Sequence, residues 1–142
     1  MRRLQNVFAL LNPEKDAGDF KVIIVFYFKI GPSCSSAKKE LSRRSALNVF
    51  AHNRDDHLKN SGFLMDVNGV WTLAPFYDFT YAEGPNGWHT LSIAGEGANP
   101  GEDDLLRLAV RVNLSVKDAK EVIEMTKEAC FSIQTSILPH QL

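Results

Sequence analysis

The chain has 142 residues, which is the length of one domain with a core of its own. Its 16 Lys and Arg nearly balance 17 Asp and Glu, and the formal net charge of −1 argues against a protein that binds nucleic acid through bulk positive charge. Cys34 and Cys130 do not form a Cys-x-x-Cys pair, so we predict two reduced thiols in a cytoplasmic protein.

The first 37 residues are predicted to form a short helix at 1–11, a buried strand at 21–30 and a loop at 31–36. Asn12-Pro13 ends the helix, because the residue before a proline leaves the α region. The strand is rich in β-branched and aromatic residues, and at about ten residues it is half as long as a bilayer span must be. The apolar stretch near the start is too broken for a signal peptide, so we expect no membrane contact.

A long helix is predicted at 37–52, with Ser36 as its cap. Its apolar residues cover more than one face, which is typical of a central, buried helix. These residues are Leu41, Ala46, Leu47, Val49 and Phe50. Arg43 and Arg44, on the same helix, either are solvated or anchor the loop that follows.

A β-hairpin is predicted next. Short strands at 62–66 and 70–74 flank Asn68-Gly69, which is a strong hairpin signal. A loop rich in Gly, Pro and Asn follows at 80–99. We expect this loop to be flexible and to contain a short strand at 90–93.

Two further helices are predicted near the end of the chain. The first, at 102–112, carries Leu105, Leu108, Ala109 and Val112 at helical spacing. The second is capped by Ser115, and Asp118 three residues later suggests a capping box. Its predicted buried face consists of Val116, Ala119, Val122, Ile123, Thr126, Cys130 and Ile133. The fold class is therefore α+β and mostly helical.

The densest run of chemically able side chains lies at 53–60, between the long helix and the hairpin. Asp55 and Asn60 stand five positions apart, and the hairpin brings Asp78 back towards them. Phosphoryl transfer to a hydroxyl needs such a set: one carboxylate for the hydroxyl proton, and a second carboxylate and an amide oxygen for the magnesium ion. Protein kinases use the same Asp-x-x-x-x-Asn spacing.

The wider sequence around this run resembles the catalytic loop of the HipA family of bacterial serine/threonine kinases, the toxins of HipA/HipB-type toxin–antitoxin modules. The resemblance is carried by residues 43–44, 53–60, 62–66, 71–78, 87–89 and 92–97. It extends from about residue 38 to the last helix and implies a protein-kinase-like large lobe with a small β-hairpin next to the catalytic loop. We therefore divide the chain into a divergent N-terminal segment, 1–37, and a HipA-like lobe, 38–142.

The resemblance also implies roles for individual residues. Asp55 is expected to be the catalytic base, and Asn60 and Asp78 are expected to hold Mg²⁺ and, through it, ATP. Lys59 is placed to meet a phosphate oxygen, and His57 is expected to maintain the geometry of the nucleotide-binding loop. The partners implied by the resemblance are a translation-related protein substrate and a HipB-like antitoxin, with DNA contacted only through that antitoxin.

Kinase chemistry also requires a glycine-rich loop over the phosphates and a lysine from the small lobe. Neither is recognisable before Asp55. We therefore expect a truncated, split or relic kinase that is inactive, or nearly so, on its own.

Two other functions stay open. A metal-dependent phosphohydrolase or nuclease would use Asp55, Asp56, His57 and Asp78 and would need no ATP. A non-catalytic partner-binding module would tolerate replacement of Asp55. His52, His89 and His140 have no ligand-like spacing and are expected to be core or surface histidines.

Overall fold

The computed structural model describes residues 2–3 and 35–137. It has three helices, which are α1 (Ser35–Phe50), α2 (Glu102–Arg111) and α3 (Val116–Ile137), and three short strands, which are β1 (Arg2–Arg3), β2 (Phe63–Met65) and β3 (Trp71–Leu73). Two 3₁₀ turns, Leu58–Asn60 and Pro85–Gly87, complete the elements of the described part. The α+β, mostly helical fold class is confirmed.

The N-terminal predictions are tested only at two residues. Arg2 and Arg3 lie in a strand that pairs with Met65 and Leu64 of β2, so the predicted helix at 1–11 is wrong at these positions. Backbone pairing to an existing strand outweighs the helical spacing of the apolar residues there. The rest of that helix, the strand at 21–30, Cys34 and His140 lie outside the described residues.

Helix α1 is the central helix that its apolar pattern predicts. It packs against both α2 and α3, and Leu41, Ser45 and Ala46 are completely buried. Ser36 lies within the helix rather than before it. The helix ends at Phe50, two residues before the predicted end, because His52 adopts a left-handed conformation (φ 58°) that no α-helix accommodates.

Helix α3 follows Ser115, whose hydroxyl accepts a hydrogen bond from the Asp118 backbone N–H at 3.1 Å, so the predicted cap is confirmed. The predicted buried face is correct from Ala119 to Cys130 and wrong at Val116 and Ile133, which are 53 % and 60 % exposed. The helix has 22 residues against 16 in α1. At about 1.5 Å per residue it is some 9 Å longer than its main packing partner, so its ends extend past the core.

Strands β2 and β3 form the predicted hairpin, in a sheet of order β1-β2-β3. Their register pairs Phe63 with Leu73 and Met65 with Trp71. The Asp66 N–H donates to the Val70 carbonyl across the turn. The connecting loop therefore has three residues, 67–69, and not Asn68-Gly69 alone. Gly69 supplies the left-handed conformation (φ 81°) that such a three-residue loop requires.

The loop at 80–99 contains no regular strand, so the strand predicted at 90–93 is wrong. The Leu91 N–H donates to the Asp56 carboxylate, and the Thr90 N–H is shared between that carboxylate and the Arg54 carbonyl, so no continuous ladder forms. The loop is also packed rather than loose, since Leu91 and Ile93 are 2 % and 0 % exposed and belong to the hydrophobic core. Among the described helices, none combines the length and apolar character needed to cross a bilayer.

Candidate functional site

The polar loop at 53–60 leaves α1 through a sharp, well-supported turn. The His52 ring stacks on Tyr81, with 5.9 Å between ring centroids. Asn53 is buried, and its side-chain amide donates to the Asn48 side chain at 2.9 Å. Asn53 also pairs with Ala82 in a short parallel bridge. The start of the loop is therefore fixed both to α1 and to the 80–99 loop.

Asp55 and Asn60 are joined within the loop. The Asn60 side-chain amide donates to the backbone carbonyl of Asp55 at 2.9 Å, and the Asn60 N–H donates to the His57 carbonyl at 2.9 Å. The Asp55 side chain is 62 % exposed. Because the amide nitrogen of Asn60 is engaged, its amide oxygen is the atom suited to a metal ion, while the Asp55 carboxylate faces solvent.

The segment that carries Asp78 is held against the same loop from two sides. Arg44 donates to the Ala74 carbonyl at 2.8 Å, and its guanidinium lies 5.2 Å from the centre of the Phe76 ring. The Tyr77 hydroxyl donates to the Lys59 carbonyl at 2.6 Å. Asp78 comes directly after this contact, is exposed, and has a left-handed backbone (φ 54°).

These contacts bring the neighbours of Asn60 and Asp78 together, since Lys59 precedes one and Tyr77 precedes the other. Arg44 is buried and holds the segment after the hairpin through the Ala74 carbonyl, not the loop directly after α1 that one interpretation of the sequence predicted, whereas Arg43 is exposed. Asp78 is one of five non-glycine residues with a positive φ in the described part, and aspartate is among the residue types that adopt this conformation most readily. The convergence of Asn60 and Asp78 on one ion stays a prediction.

His57 and Lys59 lie on the outer side of the loop. The Nε2 atom of His57 is 3.9 Å from an Asp55 carboxylate oxygen. Its Nδ1 atom is buried and has no hydrogen-bond partner among the described residues. The Lys59 side chain is exposed. The His57 ring therefore lies next to Asp55, the candidate base, and the Lys59 side chain is accessible to solvent.

Asp56 and His89 are the site residues that sequence reasoning missed. The Asp56 side chain is 0 % exposed, and His89 Nδ1 lies 2.8 Å from its Oδ2 atom. Oδ1 accepts the backbone N–H groups of Thr90 and Leu91 at 2.9 and 3.2 Å. The expectation of a core histidine is confirmed at His89, but its partner is 33 residues away and nothing in the local sequence signals the pairing.

A family model described as the HipA-like C-terminal domain matches residues 4–133. The chain belongs to this family. The match includes most of the first 37 residues, in which the sequence alone revealed no resemblance. No curated protein and no solved structure matched the chain. Residues 4–34 lie outside the described part, so the division into 1–37 and 38–142 stays a prediction.

The HipA-like domain offers an incomplete set of metal ligands. Among the described residues, no three His, Cys, Asp or Glu side chains come together as a metal site. Magnesium is commonly bound by one or two protein carboxylates together with substrate phosphates. Asn60 and Asp78 fit that pattern, because they offer an amide oxygen and an exposed carboxylate and leave the remaining positions open.

The burial of Asp56 also bears on the phosphohydrolase hypothesis. That hypothesis needs a solvent-accessible Asp56 side chain that acts as a metal ligand or base together with Asp55 and Asp78. Both oxygens of Asp56 are instead committed to the 89–91 backbone and to His89. Asp56 therefore supports the HipA-like loop from within.

Proposed function

We propose that this HipA-like domain is the catalytic-loop lobe of an ATP- and Mg²⁺-dependent serine/threonine protein kinase of toxin–antitoxin type. The observation that carries the proposal is the hydrogen bond from the Asn60 side-chain amide to the Asp55 carbonyl. It joins the candidate base and the candidate metal ligand in one loop and leaves the Asn60 amide oxygen and the Asp55 carboxylate unused by this bond. Both residues have the spacing that phosphoryl transfer uses in protein kinases.

In this proposal Asp55 accepts the proton of the substrate hydroxyl as the hydroxyl oxygen attacks the γ-phosphate. Its exposure suits a residue that must reach a proton on another protein. The His57 ring lies beside the Asp55 carboxylate, with 3.9 Å between Nε2 and the nearer oxygen. Lys59 supplies a mobile positive charge for a phosphate oxygen.

Asn60 and Asp78 would hold Mg²⁺, which supplies neutralisation of the charge on the nucleotide phosphates. The contact between Tyr77 and the Lys59 carbonyl supports this assignment, because it couples the Asp78 segment to the residue before Asn60. Two protein ligands, Asn60 and Asp78, are the kind of set that magnesium uses together with substrate phosphates.

The biological setting is proposed from family membership. A HipA-like kinase lobe would act in the cytoplasm on a hydroxyl of a translation-related protein. It would be restrained by a HipB-like antitoxin, and DNA would be contacted only through that antitoxin. The near-neutral net charge of −1 agrees with indirect DNA contact.

Binding of Mn²⁺ together with a nonhydrolysable ATP analogue tests the site. The paramagnetic ion should broaden the NMR signals of residues 55–60 and 77–79, and only when the nucleotide is present. Asp78→Ala should abolish the broadening. Asp66→Ala, which replaces an exposed aspartate at the tip of the same hairpin, should leave it unchanged.

Three results would contradict the proposal. Broadening that survives Asp78→Ala would place the ion elsewhere. Equal broadening by Mn²⁺ alone, accompanied by hydrolysis of a phosphodiester without ATP, would favour the phosphohydrolase. Absence of any binding at residues 55–60 would favour the non-catalytic module.

A further inference from the structure

Asp56 is the most enclosed charged side chain of the polar loop. Burial of a carboxylate is unfavourable unless hydrogen bonds replace the lost water. Asp56 has three such contacts, all from the 89–91 segment: two backbone N–H groups to Oδ1, and the His89 ring at 2.8 Å from Oδ2. With the carboxylate as acceptor, the His89 Nδ1 atom carries the proton.

The residue on the other side of Asp55 is bound to the same part of the chain. The Arg54 N–H donates to the Ala82 carbonyl at 3.1 Å, and the Arg54 carbonyl accepts from the Thr90 N–H at 3.1 Å. The Thr90 hydroxyl also donates to that carbonyl at 3.2 Å, and the Arg54 guanidinium donates to the Gly87 carbonyl.

Asp55 is therefore an exposed residue between two anchored ones. Arg54 and Asp56 are both attached to residues 82–91, while Asp55 itself projects into solvent. The direction of the Asp55 Cα–Cβ bond follows from these attachments, because the peptide groups on both sides of its Cα are held. Only the Asp56 attachment is made by a pair of buried side chains.

We propose that Asp56 and His89 are a positioning pair for Asp55. They fix the loop to the 89–91 segment so that the Asp55 carboxylate meets the substrate hydroxyl in the correct orientation. The inference rests on the proposed function, in which Asp55 accepts a proton from the substrate hydroxyl. Neither Asp56 nor His89 touches reacting atoms, since both side chains are buried.

Asp56→Asn tests the contact between Asp56 and His89 separately from the other contacts of the loop. The asparagine keeps the shape and an oxygen for the Thr90 and Leu91 N–H groups, but it presents an NH₂ group to His89. Asp66→Asn is the matched control, because the Asp66 carboxylate also accepts two backbone N–H groups, at 2.8 and 2.9 Å, but at the hairpin turn. His89→Gln tests the other partner of the pair.

The first measurement is NMR of the full chain. In the wild type the His89 ring should be protonated at Nδ1, and in Asp56→Asn it should change to the Nε2–H tautomer. The side-chain amide signals of Asn60, which donate to the Asp55 carbonyl, should shift in Asp56→Asn and in His89→Gln. They should not shift in Asp66→Asn.

The second measurement is phosphoryl transfer by the full chain supplemented with the small-lobe fragment of a longer family member. Asp56→Asn and His89→Gln should lower kcat at least about tenfold, since small displacements of a catalytic group are costly. The KM for ATP should stay within about twofold, because the nucleotide ligands are untouched. Asp66→Asn should change neither quantity.

Two outcomes overturn the positioning role. One is an unchanged Asn60 amide signal in both Asp56→Asn and His89→Gln. The other is a proportional loss of kcat and folded fraction, which would make the pair merely structural. If the wild type transfers no phosphate at all, the proposed function fails, and the NMR comparison still decides whether the pair positions the loop.

Discussion

Replacement of Gly84 by alanine tests how closely the 80–99 loop is fitted to the Asp55 loop. Gly84 has φ 73° and ψ 167°, a backbone region that is essentially restricted to glycine. A Cβ atom built there would lie 2.1 Å from the Trp88 carbonyl oxygen and 2.7 Å from Arg54 Cβ. Alanine therefore forces both backbone strain and a displacement of neighbouring backbone.

Gly69→Ala is the matched control. Gly69 has a similar φ of 81°, but a Cβ atom there meets nothing within 4 Å. Its cost should be the left-handed backbone alone, about 1 kcal/mol. At Gly84 the backbone strain costs about 1–3 kcal/mol and the overpacking about 1–3 kcal/mol more, so we expect about 4 kcal/mol in total.

Thermal and urea denaturation, followed by circular dichroism, measure this difference. At about 4 °C per kcal/mol for a chain of this size, Gly84→Ala should lower the Tm by about 16 °C and Gly69→Ala by about 4 °C. An equal loss of stability in the two variants would refute the reasoning, because it would mean that the approach of Gly84 to Arg54 and Trp88 contributes nothing.

Three further predictions follow from contacts around the site. Arg44→Met should lower the free energy of unfolding by about 2–3 kcal/mol, because the Ala74 carbonyl loses a buried charged donor. The control Arg43→Met should lower it by less than about 0.5 kcal/mol, and equal losses in urea denaturation would contradict the prediction. Tyr77→Phe should cost about 1 kcal/mol and weaken binding of Mn²⁺ with nucleotide, whereas Tyr81→Phe, which keeps the ring stacked on His52, should do neither. Burial, and then the charges of Arg54 and His89, lower the pKa of His52 in the folded chain. Below about pH 6.5 the unfolded chain therefore binds more protons at this residue than the folded chain does, and the free energy of unfolding decreases as the pH is lowered. His52→Asn, which tolerates the left-handed backbone, should flatten the decline between about pH 7 and pH 5, and an unchanged slope would contradict the assignment.

The sequence predicts the local elements well, because their causes lie within a few residues. The spacing of Leu105, Leu108 and Ala109 is enough for α2, and Ser115 is enough for the start of α3. The hairpin follows from two short apolar runs on either side of Asn68-Gly69.

The contacts that shape the candidate site are not local. Asp56 and His89 are 33 residues apart, and Arg44 and Ala74 are 30 apart. Asp56 looks dispensable in sequence because its neighbour Asp55 has the motif spacing. The strand predicted at 90–93 fails for the same reason, because the distant Asp56 carboxylate takes the Leu91 N–H and shares the Thr90 N–H with the Arg54 carbonyl.

Phosphoryl transfer through Asp55 is the most direct test of the central claim. The full chain, supplemented with the small-lobe fragment of a longer family member, is incubated with ATP and Mg²⁺, and phosphate on added protein is detected by mass spectrometry. We predict transfer by the wild type and none by Asp55→Asn, with the fold and nucleotide binding of that variant nearly unchanged, since a base acts in the transition state. No transfer by the wild type, or equal transfer by Asp55→Asn, would contradict the account.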